Sequence, residues 1–121
     1  IASPIVLSAD LPSTMKAVRF HAPGNVRLEH IPMPKPEAGE VLIRIETALT
    51  CGTDLKCYKR GHPVLLSATP SVFGHEGAGT IAAIGSGVAR FKVGDRVVAA
   101  NSAPCGTCFY CARGQENLCE Q

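Results

Sequence analysis

Four cysteines near the end of the chain, Cys105, Cys108, Cys111 and Cys119, follow the spacing C-x2-C-x2-C-x7-C. Thiolates are soft ligands. Four of them within fifteen residues can close a tetrahedral shell around one Zn²⁺, with each sulfur about 2.3 Å from the metal. A closed shell leaves no open coordination position, so such a zinc staples structure and catalyses nothing. The segment has few apolar side chains of its own and is expected to be floppy without metal. A disulfide framework fits the same cysteines poorly, because thiols separated by only two residues would need strained, short loops. Two more zinc-type ligands lie far upstream, Cys51 within CGTD and His75 within GHE. They need a role of their own.

The elements that must position these residues read as short strands broken by turns. The chain has 121 residues with twelve Gly and nine Pro, 45% hydrophobic residues and only 5% aromatics, which suits one modest core and many turns. Met15–Phe20 and Val26–Ile31 flank the turn Ala22-Pro23-Gly24-Asn25 as a hairpin. Pro32, Pro34 and Pro36 make the next stretch an extended connector, since proline cannot donate to a ladder. Glu40–Ala48 alternates Val41, Ile43 and Ile45 against Leu42, Arg44 and Glu46, the pattern of a half-buried strand. Within Cys51–Arg60 the alternation fails, and one or two helical turns are expected, capped by Thr53 or Asp54 and ended by Gly61 and Pro63. Residues 61–74 read as a loop, Glu76–Ile84 and Arg96–Ala100 as strands. The sum is a mainly β chain, a small, partly open β-barrel with short helical turns and a cysteine lobe.

GHEGAGTIAAIG, the turn VGDRV, the CGTD segment and the four-cysteine spacing together closely resemble the catalytic domain of zinc-dependent medium-chain alcohol dehydrogenases, from Met15 to the last residue. The CGTD segment and the lobe look most like the threonine and polyol dehydrogenase side of that family. The resemblance implies a GroES-like β-barrel over 15–121 and a nicotinamide-binding Rossmann domain following later in the chain. Residues 1–14 are then expected to be a flexible leader, an upstream extension or an artificial remnant. They contain no Lys or Arg and do not read as a signal peptide, which points to a reducing cytoplasm.

The resemblance also assigns roles. Cys51 and His75 would hold a catalytic zinc, with Glu76 a transient third ligand, because the family's usual third ligand lies beyond the cysteine lobe. A zinc with one thiolate and one neutral imidazole keeps a net positive charge and can stabilise an alkoxide as a Lewis acid. The four-thiolate zinc is net negative and closed. Thr53 would take the alcohol proton and pass it outward, and Asp54 would orient the zinc-bound histidine. Relatives often carry His two residues beyond that aspartate; this chain has Lys56 there, so the exit of the relay differs. The whole enzyme would then move hydride from a zinc-bound alkoxide of a small alcohol or polyol to NAD or NADP, as a homo-oligomer. The 121-residue chain by itself is expected to be inactive.

Plainer readings stand beside these. A lone Cys51 would be a small buried hydrophobe and a lone His75 an interior histidine; Thr53 could only cap a helix, and Glu76 only accept hydrogen bonds. Cys57 reads as structural, and His21, His30 and His62 as solvated or packing residues. Gly77-Ala78-Gly79-Thr80-Ile81-Ala82 matches G-x-G-x-x-A, but it follows a loop and Gly85 would end any helix at once, so no cofactor-binding role is expected. Small residues that let strands approach account for it better. A stand-alone zinc-binding structural module is the alternative function. A nucleic-acid partner would need a basic stripe, whereas Arg113 is the one basic residue between Cys105 and Cys119. No run approaches the about 20 apolar residues of a membrane span.

Overall fold

The structure is a computed structural model that describes residues 6–7, 11–100 and 102–120. The described strands are β1 (Val6–Leu7), β2 (Thr14–Ala22), β3 (Asn25–Pro32), β4 (Val41–Leu49), β5 (Ser71–Val72), β6 (Glu76–Ile84) and β7 (Arg96–Val98). One helix, α1 (Gly52–Arg60), follows β4, and two single 3-10 turns, Cys111–Arg113 and Glu116–Leu118, lie among the cysteines. Every pairing is antiparallel. Strand β6 is the centre of one sheet, with β4 along one edge and β1 and β7 sharing the other. A second sheet has the order β3-β2-β5. The expected mainly β, GroES-like architecture is present, its strands divided between these two sheets and not closed into a barrel. Of the expected leader, residues 1–5 and 8–10 lie outside the described residues; Val6 and Leu7 pair with Ile84 and Ala83.

Sequence and structure agree on the main strands to within a residue or two. The hairpin turns at Pro23 and Gly24, where Gly24 takes φ +74°, a conformation glycine adopts without steric cost. Strand β5 falls inside the expected loop: at two residues it is too short for any periodic signal. The alternation of β4 does not become alternate burial, since Val41, Leu42 and Ile43 are all half-buried and Arg44 to Leu49 exposed.

Small residues let β4 and β6 come together. A Cβ built at Gly79 would lie 2.0 Å from the Arg44 carbonyl oxygen, so nothing larger than glycine fits opposite Ile45. The G-x-G-x-x-A run therefore lies wholly within a strand, where its glycines serve close backbone approach. The register of β4 on β6 shifts between Leu42 and Ile43 and again between Ile45 and Thr47, so the ladder crosses two bulges before reaching Glu76. At the first of them Ile81, Ala82 and Ala83 are buried.

The second apolar cluster places α1. Phe20, Cys57 and Leu66 are buried together, with Val26 and Phe73 packed against them, and the rings of Phe20 and Phe73 stack at 6.0 Å. Cys57 is thus a structural core residue, as its sequence context suggested. The end of α1 is also tied to the hairpin: Gly24 N–H donates to the Tyr58 carbonyl at 2.7 Å and the Tyr58 hydroxyl donates to the Gly24 carbonyl at 3.2 Å. Sheet, helix and the 61–70 segment are held as one unit, and that unit carries Cys51 at one end of α1. No helix among the described residues is long and apolar enough to cross a membrane.

Candidate metal centres

Helix α1 begins on Cys51, not on Thr53 or Asp54 as expected from their usual preference for caps. The Cys51 sulfur accepts from the Thr53 backbone N–H at 3.3 Å, and Asp54 Oδ2 accepts from the Cys51 N–H at 2.9 Å. This is a reciprocal capping box with sulfur in the place of a hydroxyl. Cysteine is a weak hydrogen-bond acceptor as a thiol and a better one as a thiolate, which is why its type alone does not announce a cap. Hydrogen bonding by the Thr53 side chain, then by the N–H groups of Asp54 and Thr53, lowers the pKa of Cys51 below that of a free thiol. The sulfur is held in a setting that favours its anionic, metal-binding form.

His75 comes to the same place from the other direction, directly ahead of β6. Its Nδ1 lies 3.0 Å from Asp54 Oδ1. A buried carboxylate can only accept there, so Nδ1 carries the proton and Nε2 presents its lone pair. That Nε2 lies 3.4 Å from the Cys51 sulfur and 3.6 Å from Glu76 Oε1. Desolvation pulls the pKa of His75 down, but the charge and hydrogen bond of Asp54, together with Cys51, outweigh it and raise it. A metal entering the site would replace a proton that Asp54 and Cys51 otherwise favour on the ring.

These separations fit a metal. Around a tetrahedral Zn²⁺ the sulfur–nitrogen edge is about 3.6 Å and the nitrogen–oxygen edge about 3.4 Å, given ordinary zinc–ligand bond lengths. The three ligand atoms of Cys51, His75 and Glu76 all lie within 4.8 Å of one another. One tetrahedral corner is left over.

The second group is the cysteine lobe. The sulfurs of Cys105, Cys108, Cys111 and Cys119 lie within 4.8 Å of one another, and Cys105 and Cys111 are 4.0 Å apart. A tetrahedral zinc tetrathiolate has edges of about 3.8 Å. Backbone N–H groups point at the sulfurs: Cys108 and Thr107 at Cys105, at 3.2 and 3.5 Å, Cys111 at Cys108, at 3.5 Å, and Cys105 at Cys119, at 3.4 Å. Those from Thr107 and Cys108 hold the Cys105 pKa down to about 6. Donors from Glu120 and Cys111 likewise lower Cys108. Burial instead pushes Cys111 up to about 12, so its proton is one that a metal must displace. In residues 102–120 Cys111 is the one buried side chain, so the lobe has no apolar core to hold it. Arg113 covers the Phe109 ring at 3.6 Å, on the lobe's outer side.

Thr53 and His75 line a cavity of about 200 Å³ with Leu65, Leu66, Val72 and Phe73. Cys57 reaches its inner wall. Sequence reading did not single out Leu65, Leu66 or Phe73: apolar residues in a loop carry no spacing that tells pocket from core. Lys56 is exposed and makes no ion pair among the described residues. His21 pairs with Glu29 at 2.6 Å and His62 accepts backbone hydrogen bonds; neither lies at a ligand cluster, nor does His30.

Comparison with known proteins places this arrangement. The model of the alcohol dehydrogenase GroES-like domain matches residues 37–121. A sorbitol dehydrogenase of Bacillus subtilis is 41% identical over 110 residues, 90% of this chain and 31% of that protein. A zinc-type alcohol dehydrogenase B of Aspergillus flavus is 38% identical over 88% of this chain and 24% of its own length. Among solved structures, a cobalt- and zinc-bound thermostable alcohol dehydrogenase from Pyrobaculum aerophilum superposes with a TM-score of 0.80 at 36% identity, covering 88% of this chain and 32% of that one. The chain thus spans about a third or less of the length of the relatives it matches.

Proposed function

The chain belongs to the alcohol dehydrogenase GroES-like domain family, among the zinc-dependent medium-chain alcohol dehydrogenases, and on that premise we propose that it supplies the catalytic-domain portion of an NAD(P)-dependent alcohol or polyol dehydrogenase. The observation that carries this is the meeting of Cys51, His75 and Glu76 at tetrahedral spacing, with a corner left over, beside a separate and complete four-cysteine shell. A zinc ion at the first centre would supply a Lewis acid that stabilises negative charge on an alcohol oxygen. A zinc ion in the lobe would supply structure alone.

The chain's own residues divide the remaining work. Cys51 and His75 would hold the metal, and Asp54 keeps the histidine ring turned so that Nε2 faces the Cys51 sulfur. Glu76, whose Oε1 lies 3.6 Å from His75 Nε2, would serve as the third, transient ligand. Thr53 stands at the cavity beside His75, where its hydroxyl accepts the substrate proton and passes it outward. Lys56 lies one helical turn from Thr53 and is exposed, in the place where relatives often carry His, so solvent receives the proton. The hydride goes to a nicotinamide bound elsewhere in the protein: the glycine run of this chain is a strand and offers no phosphate cradle. The 121 residues alone therefore transfer no hydride, and the whole protein works in the cytoplasm as a homo-oligomer.

Metal analysis and turnover test this together. The protein carrying this chain should hold two zinc ions per chain and oxidise small alcohols or polyols with NAD or NADP. Replacing Cys51 by Ser should remove one zinc and the turnover. Full turnover in a Cys51→Ser variant that binds a single zinc would overturn the assignment and leave a structural zinc module.

A further inference from the structure

His62 accepts two backbone hydrogen bonds on one ring nitrogen. Its Nδ1 lies 3.2 Å from Val64 N and 3.0 Å from Leu65 N, while its carbonyl accepts from Leu66 N at 3.1 Å. No helix follows, residues 63–66 forming a single turn, but the arrangement is that of an N-cap: a side chain that accepts from the second and third residues after it, with Pro63 between. Asn, Asp or Ser ordinarily fill that place. An imidazole differs from them in one way, for it accepts at Nδ1 only while Nδ1 carries no proton. The turn delivers Leu65 and Leu66 to the cavity that Thr53 and His75 also line, and Leu66 is buried against Phe20 and Cys57.

We infer that His62 is a positioning residue whose neutral imidazole, proton on Nε2, caps the 62–66 turn and thereby sets the apolar wall of the cavity beside the Cys51–His75 centre. Protonating Nδ1 removes both acceptor bonds at once and puts a donor where two N–H groups point. The wall then loosens as pH falls. No carboxylate lies within ion-pair distance of the ring among the described residues. The charges nearest in the chain are Lys59 and Arg60 at the end of α1, and the other titratable side chains of the cavity are Cys57 and His75. The turn itself is a matter of geometry; its bearing on substrate rests on the dehydrogenase reading.

The test is amide hydrogen exchange on the zinc-loaded protein, corrected for intrinsic rates, from pH about 8 to about 5.5, across the range where histidines titrate. Protection of Val64 and Leu65 should fall about fivefold or more, the equivalent of losing a cap worth about 1 kcal/mol. In His62→Asn, whose side-chain oxygen accepts without titrating, protection should stay flat over the same range. In His62→Leu it should be low throughout. The variants share the metal centre with the parent, so acid effects on the zinc ligands appear equally in all three. Protection that is independent of pH in the parent, or an Asn variant as unprotected as the Leu one, overturns the inference. In the turnover assay the parent's KM for alcohol should rise in acid relative to the Asn variant, with kcat moving together in the two. The amide measurement decides the role of His62 whether or not turnover is found, and turnover decides the enzyme reading whatever the amides do.

Discussion

The two metal-ligand clusters are built in opposite ways from one set of donor types. The lobe draws its four sulfurs from fifteen consecutive residues, with two single 3-10 turns and one buried side chain to hold them. The Cys51–His75–Glu76 centre draws on ligands 24 residues apart, delivered by the start of α1 and the start of β6, both anchored to packed sheets. In the lobe a metal would organise the chain; at the centre the chain would organise the metal. The difference follows from ligand count. Four thiolates saturate zinc and exceed its charge, whereas one thiolate, one imidazole and a carboxylate leave a tetrahedral corner open.

Breaking a lobe ligand should have the largest effect. A Cys105→Ser variant should lose the lobe zinc and destabilise the protein by several kcal/mol, out of the about 10–16 kcal/mol that structural zinc contributes. Denaturation followed with and without a chelator measures it. A variant with parental zinc content and stability would end the idea that the metal holds the lobe.

The same stroke at the other cluster should separate stability from activity. His75→Ala should abolish the second zinc and the turnover while leaving the lobe zinc and most of the stability, since its side chain is exposed. If both zinc ions left together, the two clusters would not be independent and the contrast between them would fall.

Asp54→Asn should act on the centre alone and more gently. The amide keeps an acceptor for one partner, Cys51 N–H or His75 Nδ1–H, but not both with the charge. A loss of about 10–100-fold in zinc affinity at this centre is expected, the usual cost of removing a partner that orients a ligating histidine. Zinc competition read separately at the two sites checks that the lobe is untouched.

The smallest effect is a dependence on pH. In the metal-free lobe the Cys111 thiol, pushed up to about 12 by burial, is protonated, while Cys105, held down to about 6 by backbone N–H groups, is largely thiolate at neutral pH. Metal entry expels the Cys111 proton, so higher pH favours the bound state. Zinc affinity of the lobe should therefore fall by about tenfold or more per pH unit between about 8 and 6.5. A flat profile would mean that no proton leaves, contrary to the burial of that thiol.

Much of this was legible without coordinates, and the misses have physical reasons. The cysteine spacing declared its cluster because local ligands need no fold to bring them together. The strand β6 could be read to the residue, since small and β-branched residues run unbroken between a glycine-histidine loop and Gly85. The cap of α1 was misplaced: Thr53 and Asp54 are the customary choices, but Asp54 is engaged by both Cys51 N–H and His75 Nδ1, and the cap falls to the sulfur. His62 reads in the sequence only as a solvated or packing histidine, because its two donors are backbone groups, which leave no trace in residue type.

By itself the sequence determined which residues could bind metal, that the lobe has four thiols, enough to close a shell, and that β-strands and turns would carry them. Those are properties of residue type and short spacing. Only the tertiary structure decided that Cys51, His75 and Glu76 meet, which nitrogen of His75 faces them, and that the sheets stay apart as two. These depend on how β4 passes its two bulges on β6 and on how Phe20, Cys57 and Leu66 seat α1. Such long-range packing places side chains whose separation along the chain carries no signal of their contact.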